Sequence, residues 1–119
     1  MELKDLEIYQ ISCEISRMTW QTYIKFDWQM KKVIGDQWMT STDSVGANIA
    51  EGFGRFHYLD KNKFNYNARG SLLESVHWTK LLLERKVISE AEFNHLLDKQ
   101  EQLLLKLNSY IKSTKEQVK

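Results

Sequence analysis

The chain contains two Glu-x-x-His pairs, Glu74–His77 and Glu92–His95. At i, i+3 on a helix, a carboxylate and an imidazole share one face and can grip a metal ion together. Bundles that hold two iron or manganese ions use two such pairs plus a glutamate from each remaining helix. Glu14 and Glu51 are available for those roles. Depth along the bundle speaks against such a centre. If the two helices meet at a turn near residues 85–89, Glu74 lies opposite about residue 100, and Glu92 lies roughly 12 Å nearer the turn. The pairs also occupy consecutive helices, where the di-iron pattern uses alternate ones. Ser89-Glu90-Ala91-Glu92 matches a capping box, which gives Glu92 another task. No metal and no other cofactor is therefore expected. The remaining enzymatic alternative is a metal-dependent bundle using Glu51, Glu74 and His77, tested by metal analysis of the wild type and Glu74→Ala.

Nucleophilic chemistry has less support. Cys13 is the one cysteine and sits among apolar positions, the setting of an inert packed thiol. No G-x-S-x-G, P-loop or dinucleotide fingerprint occurs. No catalytic residue is assigned, and the expectation is a non-enzymatic protein.

The stretch from Gly52 to Tyr66, GFGRFHYLDKNKFNY, suits binding better. Arg55, Lys61 and Lys63 face one acid, Asp60, and Arg69 follows. Phe53, Phe56, Tyr58, Phe64 and Tyr66 are interleaved with these cations. Cations hold phosphates and rings stack on bases, so Arg55, Lys61, Lys63 and Arg69 are the candidate nucleic-acid contacts. The structural reading of the same residues places Phe53, Phe56 and Phe64 in the end of a bundle. It pairs Arg55 with Glu51 at i, i+4.

Just before it, Asn48, Glu51 and Arg55 fall on one helical face. Ala50 and Gly54, with Gly70 on the next helix, would let backbones approach closely. A mid-helix glycine costs about 1 kcal/mol against alanine, so close packing must offset it. The polar trio beside it suggests a buried or interfacial hydrogen-bond network that fixes register.

Four helices would position these groups. Apolar periodicity predicts spans of about 3–25, 28–57, 61–85 and 90–113, with a frayed polar tail over 114–119. Asp27, Asp60 and Ser89 are the expected N-caps of the last three. The run TSTDSVGANIAEG is poor in helix formers, so a kink or break is expected near Ser44–Gly46. The first helix carries two apolar stripes, Ile8, Ile11, Ile15 and Met18 on one side and Leu6, Tyr9, Cys13, Trp20 and Ile24 on another. A monomer's surface helix needs only one. The pattern fits either a helix that also meets a second copy, with Ile8, Ile11, Ile15 and Met18 as the candidate oligomer interface and the choice of stripe left open, or a central helix in a small core. Short connections make neighbours antiparallel: an all-α, up-down-up-down four-helix bundle in one domain.

Bulk composition agrees. The 119 residues include no proline and five glycines, which disfavours turn-rich β architectures. Fourteen aromatic residues (Trp 4, Tyr 5, Phe 5) are a large load for one small core and point to a second buried surface. Net charge is +1, too little to draw nucleic acid or an anionic membrane by itself. One cysteine and no apolar run long enough to span a bilayer suggest a cytoplasmic protein that engages no membrane.

Three segments occur in a telling order: Asp5-Leu6-Glu7-Ile8-Tyr9-Gln10, then Ala47-Asn48-Ile49-Ala50-Glu51-Gly52-Phe53-Gly54-Arg55, then Ala68-Arg69-Gly70-Ser71-Leu72-Leu73-Glu74. Over residues 3–112 the chain resembles the four-helix-bundle family of proteins encoded in 23S ribosomal RNA intervening sequences. That family includes the accessory variability determinant of diversity-generating retroelements. The resemblance implies a ring-like homopentamer and, in the retroelement branch, binding to nucleic acid and to a reverse transcriptase. For the intervening-sequence branch it implies no established biochemical role. By motif position it singles out Asn48, Glu51, Gly52, Gly54, Arg55, Gly70, Ser71 and Glu74. Two departures stand out: Gly46 occupies the place of a usual proline, and this chain is near neutral where the retroelement branch is strongly basic. The combined expectation is a homo-oligomeric, pentameric bundle that acts as a scaffold for RNA, DNA or a protein partner. A pure protein–protein adaptor is the remaining alternative.

Overall fold

The structure is a computed structural model that describes residues 1–117. A single 3-10 turn, Leu3–Asp5, leads into α1 (Glu7–Tyr23). A short corner follows, then α2 (Trp28–Met30), a wide-turn segment Lys31–Gly35 and α3 (Asp36–Phe53). The joints at Met30, Lys31, Gly35 and Asp36 keep right-handed helical dihedrals, so residues 28–53 form one rod. Next come α4 (Tyr58–Glu84) and α5 (Glu90–Glu116). Four long rods, antiparallel to their neighbours and without a strand among the described residues, make an up-down-up-down bundle of 48 × 23 × 21 Å. The long dimension fits a 27-residue helix at about 1.5 Å per residue.

The core is one stripe from each rod. Ile8, Ile11 and Ile15 meet Ile34, Trp38, Val45 and Ile49, then Leu72 and Leu82, then Leu96, Leu103 and Leu107. Ile8, Ile11 and Ile15 are thus buried inside their own chain, and Met18 packs partly buried against them. This corrects the interface expected at Ile8, Ile11 and Ile15: burial within the bundle leaves them nothing to offer a second copy, and only half-buried Met18 keeps some open surface. The other stripe supplies exposed surface at Trp20 and Ile24, while its Leu6 is buried in the core.

The irregularity in the second rod is real but displaced. Residues 44–46 continue as α-helix. Their polar side chains bond locally instead of breaking it: Asn48 Nδ2 donates to Ser44 O at 2.8 Å. The disturbance is at Lys31–Gly35, where Asp36 N–H reaches back to Lys31 O, one residue further than in an α-helix. Gly35 explains the position. A β-carbon there would stand 3.1 Å from Phe26 Cδ2 and 3.2 Å from Tyr23 Cε1. The aromatic corner after α1 presses on the rod, and the widened turn accommodates it.

Helix ends show which caps formed. Asp27 Oδ1 accepts from Met30 N–H at 2.8 Å, as its type requires. Both arms of the Ser89–Glu92 capping box are present at 3.1 Å. Asp60 is not the cap of α4; the helix starts three residues earlier behind His57, and Asp60 lies in its first turn. α3 stops at Phe53 rather than near 57. α5 runs past 113 because Thr114 is buried and bonds back to Tyr110 O. The last two residues of the expected frayed tail lie outside the described residues.

The capping box carries a pH signature. The backbone N–H of Ser89 donates to the Glu92 carboxylate and holds its pKa below the usual value, with Thr22 and Lys25 adding to the effect. A lowered folded pKa contributes stability that is complete above the unfolded pKa and lost as pH falls through the folded one. Glu92→Gln should therefore lower the urea midpoint at pH 7, and the difference should close as pH falls below the ordinary carboxylate range and Glu92 becomes protonated in the folded state too. Ser89→Ala should cost about 1 kcal/mol at pH 7, read from the same transitions.

Candidate functional site

Three of the candidate groups converge where α3 turns into α4. Gly52 makes the turn tight: a β-carbon on it would stand 3.1 Å from both Lys61 O and Phe64 Cβ. The Lys61 ammonium donates to Phe53 O at 3.0 Å, satisfying a carbonyl at the end of α3, and lies over the Phe53 ring. Arg55 pairs with Glu51 at 2.6 Å and covers the Phe64 ring at 4.7 Å. Two of the four proposed cations are therefore engaged in closing the bundle. Lys63 and Arg69 are exposed, and among the described residues neither has a carboxylate within salt-bridge reach.

The rings divide in the same way. Phe53 and Phe64 are half-buried at the bundle end. Phe56 is 89 % exposed, which corrects its assignment to the core: α3 has already ended, so Phe56 stands on the turn. Leu59, Tyr58 and Tyr66 are also exposed. At helical spacing, Leu59, Lys63, Tyr66 and Gly70 share one outer face of α4, with Arg69 beside them. The site is thus a convex strip of rings and cations, not a cleft.

The remaining motif residues separate. Asn48 bonds to Ser44, whose hydroxyl accepts from Ser71 at 3.1 Å, so Asn48 and Ser71 belong to one α3–α4 contact. Glu51 and Arg55 lie outside it on the surface. Gly54 is the C-terminal cap of α3 and meets only its own helix. A β-carbon on Gly70 would meet nothing within 4 Å. The close approach expected at Gly54 and Gly70 belongs to Gly52 instead.

Glu74 accepts from Trp78 Nε1 at 3.0 Å, and His77 stacks edge-on against the same indole. No three His, Cys, Asp or Glu side chains converge among the described residues, so Glu51, Glu74 and His77 are not brought together. Glu14 pairs with Lys99 at 3.1 Å.

A second polar constellation went unread in the sequence. Trp38, Thr42, Ser75, Thr79 and Gln100 meet in the bundle centre, all nearly inaccessible. Trp38 Nε1 donates to Thr79 Oγ1 at 2.9 Å, and Gln100 Nε2 donates to the same oxygen at 3.1 Å. Thr79 passes its own proton to Ser75 O, and Thr42 passes its own to Trp38 O. Ser75 Oγ is then the donor in its 2.7 Å contact with Thr42. Among the described residues, Gln100 Oε1 and Thr19 Oγ1 find no partner. The signal was present: Ser75 and Thr79 follow Leu72, and Gln100 precedes Leu103 and Leu107, at core spacing.

These features define a class: a four-helix bundle whose ANIAEGFGR segment seals one end and leaves a basic-aromatic strip outside it. Over residues 4–109 the chain matches the 23S rRNA-intervening sequence protein family, and it belongs to that family. A crystal structure of a protein of unknown function from the S23 ribosomal protein family of Bacteroides thetaiotaomicron has the same fold. Its TM-score is 0.81 at 23 % identity, covering 88 % of this chain and 98 % of that one. A search of curated proteins gave no match. Among the described residues no helix is long and apolar enough to cross a membrane.

Proposed function

We propose that the protein is a non-enzymatic, cytoplasmic, homo-oligomeric scaffold, a pentamer by family resemblance, that binds single-stranded nucleic acid through the α3–α4 end. The observation that carries this reading is the strip of Phe56, Tyr58 and Tyr66 beside Lys63 and Arg69. Its rings are open to stack on bases and its cations are free to meet phosphates. A ring assembly would repeat the strip, so a weak contact in one copy becomes a multivalent one. Assembly would use the exposed Trp20, Ile24, Trp28 and Val33, since the first apolar stripe of α1 is occupied.

Fluorescence anisotropy with labelled single-stranded RNA at about 50 mM salt tests the binding reading, because phosphate contacts are strongest there. The double variant Lys63→Glu/Arg69→Glu should weaken affinity about tenfold or more and flatten the salt dependence. No measurable affinity for RNA or single-stranded DNA at that salt would defeat it and favour a protein–protein adaptor. Light scattering that gave a mass near the 14.2 kDa of one chain would refute the ring.

A further inference from the structure

We propose that Glu51 is a built-in competitor for phosphate: it occupies Arg55, which joins the α3–α4 strip as a further phosphate contact when an incoming strand displaces it. The inference rests on the nucleic-acid reading above and adds the residue that sets the strength of that binding.

The pair stands at the edge of the strip. Arg55 follows Gly54, the C-terminal cap of α3, and precedes the exposed Phe56. Its guanidinium lies over the Phe64 ring, 4.7 Å from the ring centre, and Phe64 is the chain neighbour of Lys63. The ring attracts the head group, so the cation is already placed beside the strip.

The hold of Glu51 is shallow. Arg55 Nη2 donates to Glu51 Oε1 at 2.6 Å, and this is the one hydrogen bond of the guanidinium among the described residues. The strong form of an arginine–carboxylate pair has two parallel bonds, and this one leaves most of the fork without a protein acceptor. The two side chains are 43 % and 54 % exposed, so water screens the pair, and exposed ion pairs are weak. A phosphate group offers the same sign of charge and oxygens that suit the same fork. Exchanging one anion for the other returns Glu51 to water and strands no buried group.

The neighbouring charges do not share this property. Lys61 donates to a backbone carbonyl, Phe53 O, which cannot move aside. Asp60 forms no ion pair among the described residues. Glu51–Arg55 is therefore the one ion pair at this turn, among the described residues, that a phosphate can replace.

A double-mutant cycle in the anisotropy assay tests this, using labelled single-stranded RNA and the full chain as wild type, Glu51→Gln, Arg55→Ala and the double variant. Glutamine keeps the size of glutamate and removes only its charge. Glu51→Gln should tighten RNA about fivefold, the upper worth of an exposed pair, and steepen log affinity against log salt by about 0.7, the share of one phosphate on a single strand. In the Arg55→Ala background the same change should alter affinity by less than about twofold and leave the slope unchanged. Arg55→Gln, which keeps a stem to cover Phe64, is a second background with the same expectation. Equal gains in every background would mean a general loss of negative charge and would overturn the inference. Wild-type binding with no gain from Glu51→Gln would overturn it too and leave the nucleic-acid reading standing. Arg55-dependent binding that appears only with Glu51→Gln would support it, and no binding by any variant would end both.

Discussion

Thr79→Val is expected to destabilise the bundle by about 3 kcal/mol, the largest effect of any single-atom exchange in the core. Valine keeps the shape of threonine, so no cavity forms. What disappears is the oxygen that accepts from both Trp38 Nε1 and Gln100 Nε2. Both donors belong to residues at most 1 % exposed, so water cannot replace it. A buried donor left without a partner costs about 1–3 kcal/mol, and Gln100 retains only a long contact of 3.3 Å to Ser75 Oγ. Thr79→Ser keeps the hydroxyl and should lose about 1 kcal/mol, the worth of one methyl group. Trp38→Phe in the valine background removes one stranded donor, so the two changes together should cost less than their sum. Urea transitions of the wild type, Thr79→Val, Thr79→Ser, Trp38→Phe and the Trp38→Phe/Thr79→Val double variant check this. A loss below about 1 kcal/mol for Thr79→Val would mean that the layer does not hold the bundle together.

That polar layer also shows where reading the sequence stops. Apolar periodicity located the four rods and most of the core, because Leu72, Leu82, Leu103 and Leu107 repeat at helical spacing whatever their neighbours are. It could not rank Ser75, Thr79 and Gln100 as core residues. Each is polar alone and becomes buried only when three different helices supply its partners. The same limit moved the irregularity from Gly46 to Gly35. Propensity is summed along the chain, and TSTDSVGANIAEG scores poorly, yet Ser44 and Asn48 satisfy one another within the helix. Gly35 matters only because Tyr23 and Phe26 fold back onto it, a contact across a corner. Two apolar stripes on one helix exceed what a surface helix needs, so the pattern alone offers Ile8, Ile11 and Ile15 to an interface as readily as to the core. In the fold they face the core, and the exposed part of the second stripe, Trp20 and Ile24, carries the excess. For the binding strip, the residue types were legible but their availability was not. The i, i+4 spacing already offers Glu51 to Arg55, but only the geometry tells that Lys61 is spent on the end of α3, while Lys63 and Arg69 meet no carboxylate among the described residues.

Gly52 and Gly70 should respond in opposite directions to added side chains, although both stand in family motif segments. Gly52→Leu is expected to cost about 3 kcal/mol, the upper range for overpacking. Its β-carbon already meets Lys61 O and Phe64 Cβ at 3.1 Å. A helical backbone carbonyl cannot swing aside as a side chain does, so the start of α4 must move off α3. That movement would also pull the Lys61 ammonium from Phe53 O and open the turn bearing Phe56 and Tyr58. Gly70→Ala meets nothing within 4 Å, sits mid-helix and has no left-handed dihedral to protect. Helix propensity alone should then stabilise the fold by about 1 kcal/mol. Urea midpoints give both signs, and equal losses at the two sites would show that the α3–α4 spacing does not decide them. The contrast extends to binding, because Gly70 lies on the outer face of α4 with Lys63 and Tyr66, and a β-carbon there meets nothing within 4 Å among the described residues. If Gly70→Ala stabilises the fold while weakening RNA in the anisotropy assay, the glycine serves the approach of a ligand to that strip rather than the bundle.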